Sequence, residues 1–152
     1  MIVMNKDGKD IAKTNEELIK LAFDYVQKAN EDAEKNPTSD LIQVVVVEPM
    51  KTPYKKMIKN TLETFQGLVD GYIEILTIGQ TETGGTIAIT LNEEGKLKEL
   101  PLNKVIHGRG GSDILVGTFF ITAYNMQGDN ISLSDLQCEK LLWTFKGMEV
   151  YL

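Results

Sequence analysis

Cysteine and histidine are almost missing from this chain, which holds one of each, Cys138 and His107. A single cysteine excludes an internal disulfide and a cysteine-built zinc site, and a single histidine excludes a histidine-rich metal centre. No metal and no cofactor is therefore expected. Positive charge is short as well: 16 Lys and Arg stand against 22 Asp and Glu, a net charge of -6. That balance argues against a protein that coats duplex nucleic acid or an anionic membrane through bulk electrostatics. It leaves room for a local basic pocket that takes a small anion. Apolar runs such as "VVVV" at 44–47 fall far short of the roughly 20 residues a membrane helix needs. The start, "MIVMNKDGKD", has no basic stretch leading into a long apolar one, so no secretory signal is expected. A soluble, reducing, cytoplasmic setting follows as the expectation.

What is present suits one ordinary domain. At 152 residues, 42% hydrophobic and 25% charged, the chain can form a sizeable core. A chain of this size buries roughly two thirds of its unfolded surface. "MIVM" reads as a short strand followed by a turn at Asp7-Gly8. Thr14 and Glu17 make a capping-box pattern, and Leu18, Leu21, Ala22, Tyr25 and Ala29 lie on one helical stripe. Residues 1–38 are thus expected to be a strand-and-helix appendage to a body over 39–152.

In that body "LIQVVVVE", 41–48, reads as a strand buried on both faces. Thr52-Pro53 looks like an N-cap followed by proline in the first helical turn. Tyr54, Met57, Ile58, Leu62, Phe65 and Val69 recur at helical spacing, which predicts a helix from there to Asp70-Gly71. Strands are expected at 72–79, 86–92 and 114–124, with Pro101 leaving "LKELPLNKVI" ambiguous. "SLSDLQCEKLLWTFKG" predicts a last helix capped near Ser132 or Ser134, with Cys138, Leu141, Leu142 and Phe145 on one face and Gly147 past its end. The order points to an α+β fold: a mixed, mainly antiparallel sheet with a crossover helix and a C-terminal helix.

Several phrases in order carry a resemblance: "VVVVEPMKTPYKKMIKNTLETFQGLVDGYIEI", "NEEGKLKELPLN", "DILVGTFFI" and "SLSDLQCEKL". Together, from about residue 42 to 146, they resemble the family called domain of unknown function 3846. The resemblance implies a gene of phages, conjugative plasmids or other mobile elements, hence a bacterial host cell. It implies no particular activity. The first forty residues and the full "HGRGGSD" loop at 107–113 lie outside the family pattern.

That loop holds the sharpest candidate site. Backbone N–H groups of a glycine-rich turn can form an anion nest, here near Gly110 and Gly111, with Ser112 beside them. Arg109 can grip a phosphate through two parallel hydrogen bonds, and His107 can stack on a base. The spacing matches neither a P-loop nor a dinucleotide fingerprint, so a plain hairpin or crossover turn is the competing reading. Lys51, Lys55, Lys56 and Lys59 are expected as a basic patch on the first turns of the second helix. Facing Arg109, they would make a positive pocket in which Tyr54 stacks on a base. Glu48 is expected at the end of a buried strand just before a helix N-terminus, as a ligand group or a turn cap. Glu93-Glu94 reads as a solvated turn, and Cys138 as a core residue.

No catalytic constellation is visible, which points to a non-enzymatic binding protein. Its sharpest form is a counter-defence protein that sequesters a nucleotide-derived immune signal. The alternative is an interaction module that inhibits a host defence protein through its acidic surface or N-terminal helix. A third possibility, an enzyme built around Glu48, also stays open. The unpartnered stripe of the appended helix implies a homo-oligomer.

Overall fold

The computed structural model describes residues 40–152 and, before them, the backbone of two short strands. The chain divides into two units, Met1–Asp40 and Leu41–Leu152. In the first, β1 (Val3–Met4) pairs antiparallel with β2 (Asp10–Ala12). The Asp7-Gly8 turn and the capped helix expected from Thr14 lie outside the described residues.

The second unit is α+β and mainly antiparallel, as expected. It begins with β3 (Leu41–Val47), where Val44 to Val47 are wholly buried. A β-branched run of this kind needs cover on both faces and partners on both edges. One edge is met by β4 (Tyr54–Lys59), antiparallel, with Val46 opposite Tyr54 and Leu41 opposite Lys59. This overturns the helix expected to start at Thr52-Pro53. Helical spacing of Tyr54, Met57 and Ile58 has value only if a core faces it, and here only Ile58 is buried. Pairing with β3 satisfies the backbone of 54–59 instead.

The helix begins later. Thr61 is its N-cap, its side chain accepting from the Thr64 N–H, and α1 runs from Leu62 to Val69 with Phe65 and Val69 buried one turn apart. Asp70, at φ 59°, ends it in the left-handed conformation. Then come β5 (Ile73–Gln80) and β6 (Thr86–Asn92), an antiparallel pair with an irregularity between Thr77 and Gly79. After a turn region, Leu102–Gly108 forms β7, which settles the ambiguous "LKELPLNKVI" as a strand that starts just past Pro101. The single strand expected over 114–124 is two, β8 (Gly111–Val116) and β9 (Phe119–Tyr124), in different sheets. The break is at Gly117, whose φ of 73° suits glycine and whose Cβ would meet Leu100 Cδ1 at 2.8 Å. The short β10 (Asn130–Ile131) pairs with the end of β9. The last helix, α2 (Asp135–Thr144), is capped by Ser134 in a full capping box with Gln137. A further strand that the periodicity does not announce, β11 (Glu149–Tyr151), closes the described chain.

The larger sheet has the order β4-β3-β9-β6-β5, and the smaller one β11-β7-β8, with β11 parallel to β7. The core lies on both faces of the larger sheet. On one, Val45, Val47, Ile89 and Ile121 meet Ile106, Leu115 and Val150 of the smaller sheet and Cys138, Leu141 and Phe145 on the α2 side. On the other, Ile42, Val44, Val46 and Phe120 meet Ile58 of β4 and Phe65 and Val69 of α1. Each large apolar side chain buried this way contributes about 1.5–3 kcal/mol. The helix α1 carries the chain across the sheet face from one edge strand, β4, to the other, β5.

Candidate functional site

The "HGRGGSD" segment is the tip of the β7–β8 hairpin. His107 stands opposite Ser112, and Gly108 opposite Gly111, so Arg109 and Gly110 make a two-residue connection. Gly111 takes φ 110°, a conformation that selects glycine. A Cβ at Gly108, Gly110 or Gly111 would meet nothing within 4 Å. Packing therefore does not demand glycine at Gly108 and Gly110, and the backbone there is open to an approaching ligand.

Beneath the tip is a cavity of about 480 Å³. Its apolar floor is Leu76 and Ile78 from β5 with Ile106 from β7, and its rim carries Arg109, Ser112 and Asp113. Leu152 closes one side, its N–H bonded to the His107 carbonyl at 2.8 Å. The Asp113 carboxylate accepts from Lys96 Nζ at 2.7 Å. This hydrogen bond, helped by the Ile114 N–H and the lysine's charge against some burial, holds the Asp113 carboxyl below its usual range. Among the described residues Arg109 forms no ion pair. Among the described residues the cavity thus offers one cation without an ion-pair partner, above an apolar floor.

Behind the rim, His107 Nδ1 and Ser112 Oγ are 2.7 Å apart, and the imidazole stacks on the Tyr151 ring at 4.7 Å. Tyr151 donates its hydroxyl proton to Glu149 Oε2 at 3.1 Å, and this hydrogen bond to a carboxylate pushes the phenol up. His107 Nε2 is buried, has no hydrogen-bond partner among the described residues and lies 3.8 Å from Glu149 Oε1. That separation is too long for a hydrogen bond. The ring is held by Ser112 and the tyrosine, which steadies the hairpin.

The remaining expected residues lie elsewhere. Glu48 is followed by no helix. It ends β3 at a turn in which the Lys51 N–H bonds the Glu48 carbonyl at 3.2 Å. Its carboxylate faces Lys51 Nζ at 3.7 Å and accepts from the Tyr54 hydroxyl at 3.1 Å. Burial first, then the bond to Glu48 and that group's charge, push the Tyr54 phenol up. Lys55, Lys56 and Lys59 are exposed on β4, an edge strand rather than a helix. The larger sheet separates β4 from β5 by four inter-strand steps, roughly 19 Å at about 4.8 Å each. The hairpin tip sits over β5, so the composite pocket of these lysines with Arg109 is not assembled. Glu48, Lys51 and Tyr54 form one small cluster, and His107 to Ser112 form another. Sequence reasoning missed Leu76 and Ile78, which meet the hairpin from the other sheet, and Leu152, Glu149 and Tyr151, which meet it through the distant pairing of β11 with β7. Glu93 and Glu94 are exposed in their turn, and Cys138 is buried, its thiol pushed up mainly by that burial. Among the described residues no group of three or more His, Cys, Asp or Glu is placed to hold a metal ion.

These features define a two-sheet α+β domain with an open cavity under one hairpin. Residues 42–146 match the family described as domain of unknown function (DUF3846), and the chain belongs to it. No curated protein and no solved structure matches the chain.

Proposed function

We propose that this chain is a non-enzymatic binding protein of a mobile genetic element, which sequesters a nucleotide-type small molecule beneath the β7–β8 hairpin. In a phage or plasmid setting, withholding a nucleotide-derived signal would blind a host defence pathway. The mobile-element setting comes from the family resemblance. The observation that carries the binding reading is the cavity of about 480 Å³, with Arg109, unpaired among the described residues, above Leu76, Ile78 and Ile106. A phosphate meets Arg109 and the bare backbone at Gly110 and Gly111, while a base lies on the apolar floor. Such a cavity falls within the usual size range for small-ligand sites.

The test is mass spectrometry of small molecules released by denaturing protein purified from bacteria that make diverse nucleotide signals. An intact nucleotide at stoichiometric amount supports sequestration, and a converted product identifies an enzyme. An empty protein that also ignores a nucleotide panel overturns the reading. Arg109→Ala is expected to weaken a captured nucleotide by about 1.5–3 kcal/mol, roughly 10- to 150-fold in Kd by titration calorimetry. Lys55→Ala and Lys59→Ala are expected to leave that Kd unchanged, since both lie at the opposite edge of the sheet. If the protein is empty and deletion of residues 1–38 abolishes activity in cells, the interaction-module reading replaces this one.

A further inference from the structure

The larger sheet ends in two edges of unlike character. At β4 the exposed side chains include Lys55, Lys56 and Lys59. The other edge, β5, carries one charge, Glu74, and neither lysine nor proline. Among the described residues β5 pairs only with β6. Beside that open edge Tyr72 is 69% exposed and Ile75 48%. Proteins that stay apart guard such an edge with lysine, proline, extreme shortness or a bulge. Here the strand is eight residues long, and its one irregularity falls between Thr77 and Gly79, leaving Ile73 to Thr77 regular.

The backbone of that regular run is laid out symmetrically. The Glu93 N–H bonds the Tyr72 carbonyl at 2.9 Å, which makes these two a bonded pair of the β5–β6 ladder. Bonded and unbonded positions alternate along an antiparallel ladder, so Glu74 and Leu76 also turn their N–H and C=O groups toward β6. Ile73, Ile75 and Thr77 turn theirs outward. The three outward residues are thus spaced evenly about Ile75.

We infer that β5 pairs antiparallel with β5 of a second copy of this chain, about a two-fold axis at Ile75, so that two larger sheets become one. Ile75 meets the partner's Ile75, and Ile73 meets the partner's Thr77. Each such pair exchanges two backbone hydrogen bonds, and every outward group of the regular run is satisfied. A strand of another sequence would satisfy the same groups, but the side chains favour a copy. On the α1 face the two exposed Ile75 side chains cover each other. On the opposite face Glu74 stands across from Leu76, so no acid lies directly opposite an acid. The same operation about Met57 on β4 would set Lys55 opposite Lys59, a destabilising pair of like charges. One edge therefore accepts a second copy and the other refuses it.

The pairing also brings a residue to the hairpin cavity. By the alternation of a strand, Tyr72 lies on the same face as Leu76 and Ile78, which floor that cavity. The two-fold axis sets the partner's Tyr72 opposite Ile78, an aromatic ring beside the floor on which a base stacks. This consequence rests on the proposed function, and the pairing itself does not.

The experiment is sedimentation velocity of the full chain, without added ligand, across a concentration series. The parent is expected to reach a dimer at the upper end. Ile75→Lys, which sets two ammonium groups face to face at the axis, is expected to stay a monomer throughout. Because Ile75 is half exposed, this variant is expected to keep the parent's urea midpoint. Cysteine crosslinking reads the register without relying on that variant. Paired Ile75 Cα atoms stand about 5.5 Å apart, within disulfide reach, whereas those of Thr77 stand about 14 Å apart. Ile75→Cys is expected to give a disulfide-linked dimer on mild oxidation. Thr77→Cys and the parent, whose Cys138 is buried, are expected not to. A monomeric parent, a dimer that survives Ile75→Lys, or equal crosslinking through Thr77→Cys each overturns the inference. A dimer of this register that holds no nucleotide supports it and overturns the proposed function alone.

Discussion

Lys104 is the residue that fits its surroundings least well. It stands on β7 at 5% exposure, and among the described residues its ammonium has no ion pair and no hydrogen-bond partner. Burial alone pushes its pKa below 10.5. Between the lowered folded value and 10.5, the unfolded chain binds more protons than the folded one, so stability rises with pH across that window. Below the window both states are charged, and the cost of partly desolvating the ammonium is present in full. Lys104→Met keeps the stem and removes the charge. It is expected to match or exceed the parent's urea midpoint at pH 7 and to abolish the rise in stability toward pH 10.5. A midpoint that falls would mean the ammonium has a stabilising partner. Asn103, next along, is wholly buried and donates to the carbonyls of Val47 at 2.9 Å and Gly117 at 2.7 Å. It ties the start of the smaller sheet to the end of β3, and nothing in its local pattern announces that role. His107, by contrast, stood out in the sequence by rarity, but its partners Ser112, Tyr151 and Glu149 are set by the pairing of three strands.

At the scale of elements, segments with a strong local signal are where the periodicity places them. The run Val44–Val47 is a buried strand, and the C-terminal helix starts at its capping box. Ser134 accepts from the Gln137 N–H at 3.1 Å while the Ser134 N–H bonds Gln137 Oε1 at 2.9 Å. Ser134→Ala is expected to cost about 1 kcal/mol, read as a lower urea midpoint with an unchanged slope. The segment from Tyr54 to Lys59 went the other way. Its apolar spacing fits a helix, but helix stability in a protein comes mainly from the face it buries. These residues gain more by pairing with β3. A second long-range tie fixes where the real helix stops: Asn92, at the end of β6, donates to the carbonyls of Val69 and Asp70 at 3.0 Å each. Gly117 marks the same lesson inside an apolar run, since one left-handed residue sends the chain from the smaller sheet to the larger.

At the scale of the whole molecule, the larger sheet has two edges, β4 and β5, and an exposed edge is a template for unwanted pairing. On β4 the lysines at 55, 56 and 59 are exposed on that edge. Their reading as a ligand pocket gives way here to one of edge protection by repulsion between like edges. The triple variant Lys55→Thr, Lys56→Thr, Lys59→Thr is expected to keep the fold but to form larger assemblies than the parent at the same concentration. Sedimentation velocity across a concentration series measures this, and unchanged sedimentation would remove the edge-protection role. A nucleotide bound under the hairpin should be held as before, because β5 and β4 stand at opposite edges.

The amino-acid sequence by itself determined the features that depend on near neighbours along the chain. These are the α+β class, the family, the buried valine strand, the β5–β6 pair, the Ser134 cap, and the hairpin chemistry of three glycines around Arg109. Each is encoded within a few residues, by β-branching, by cap spacing or by the left-handed angle that glycine tolerates. The tertiary structure alone decided the rest: that 54–59 is a strand, that β8 and β9 belong to different sheets, that the lysines and Arg109 stand apart, and that Leu76, Ile78 and Leu152 close a cavity with the hairpin. These outcomes turn on which distant strand satisfies a backbone edge and which face finds cover. Local periodicity carries no information about either choice.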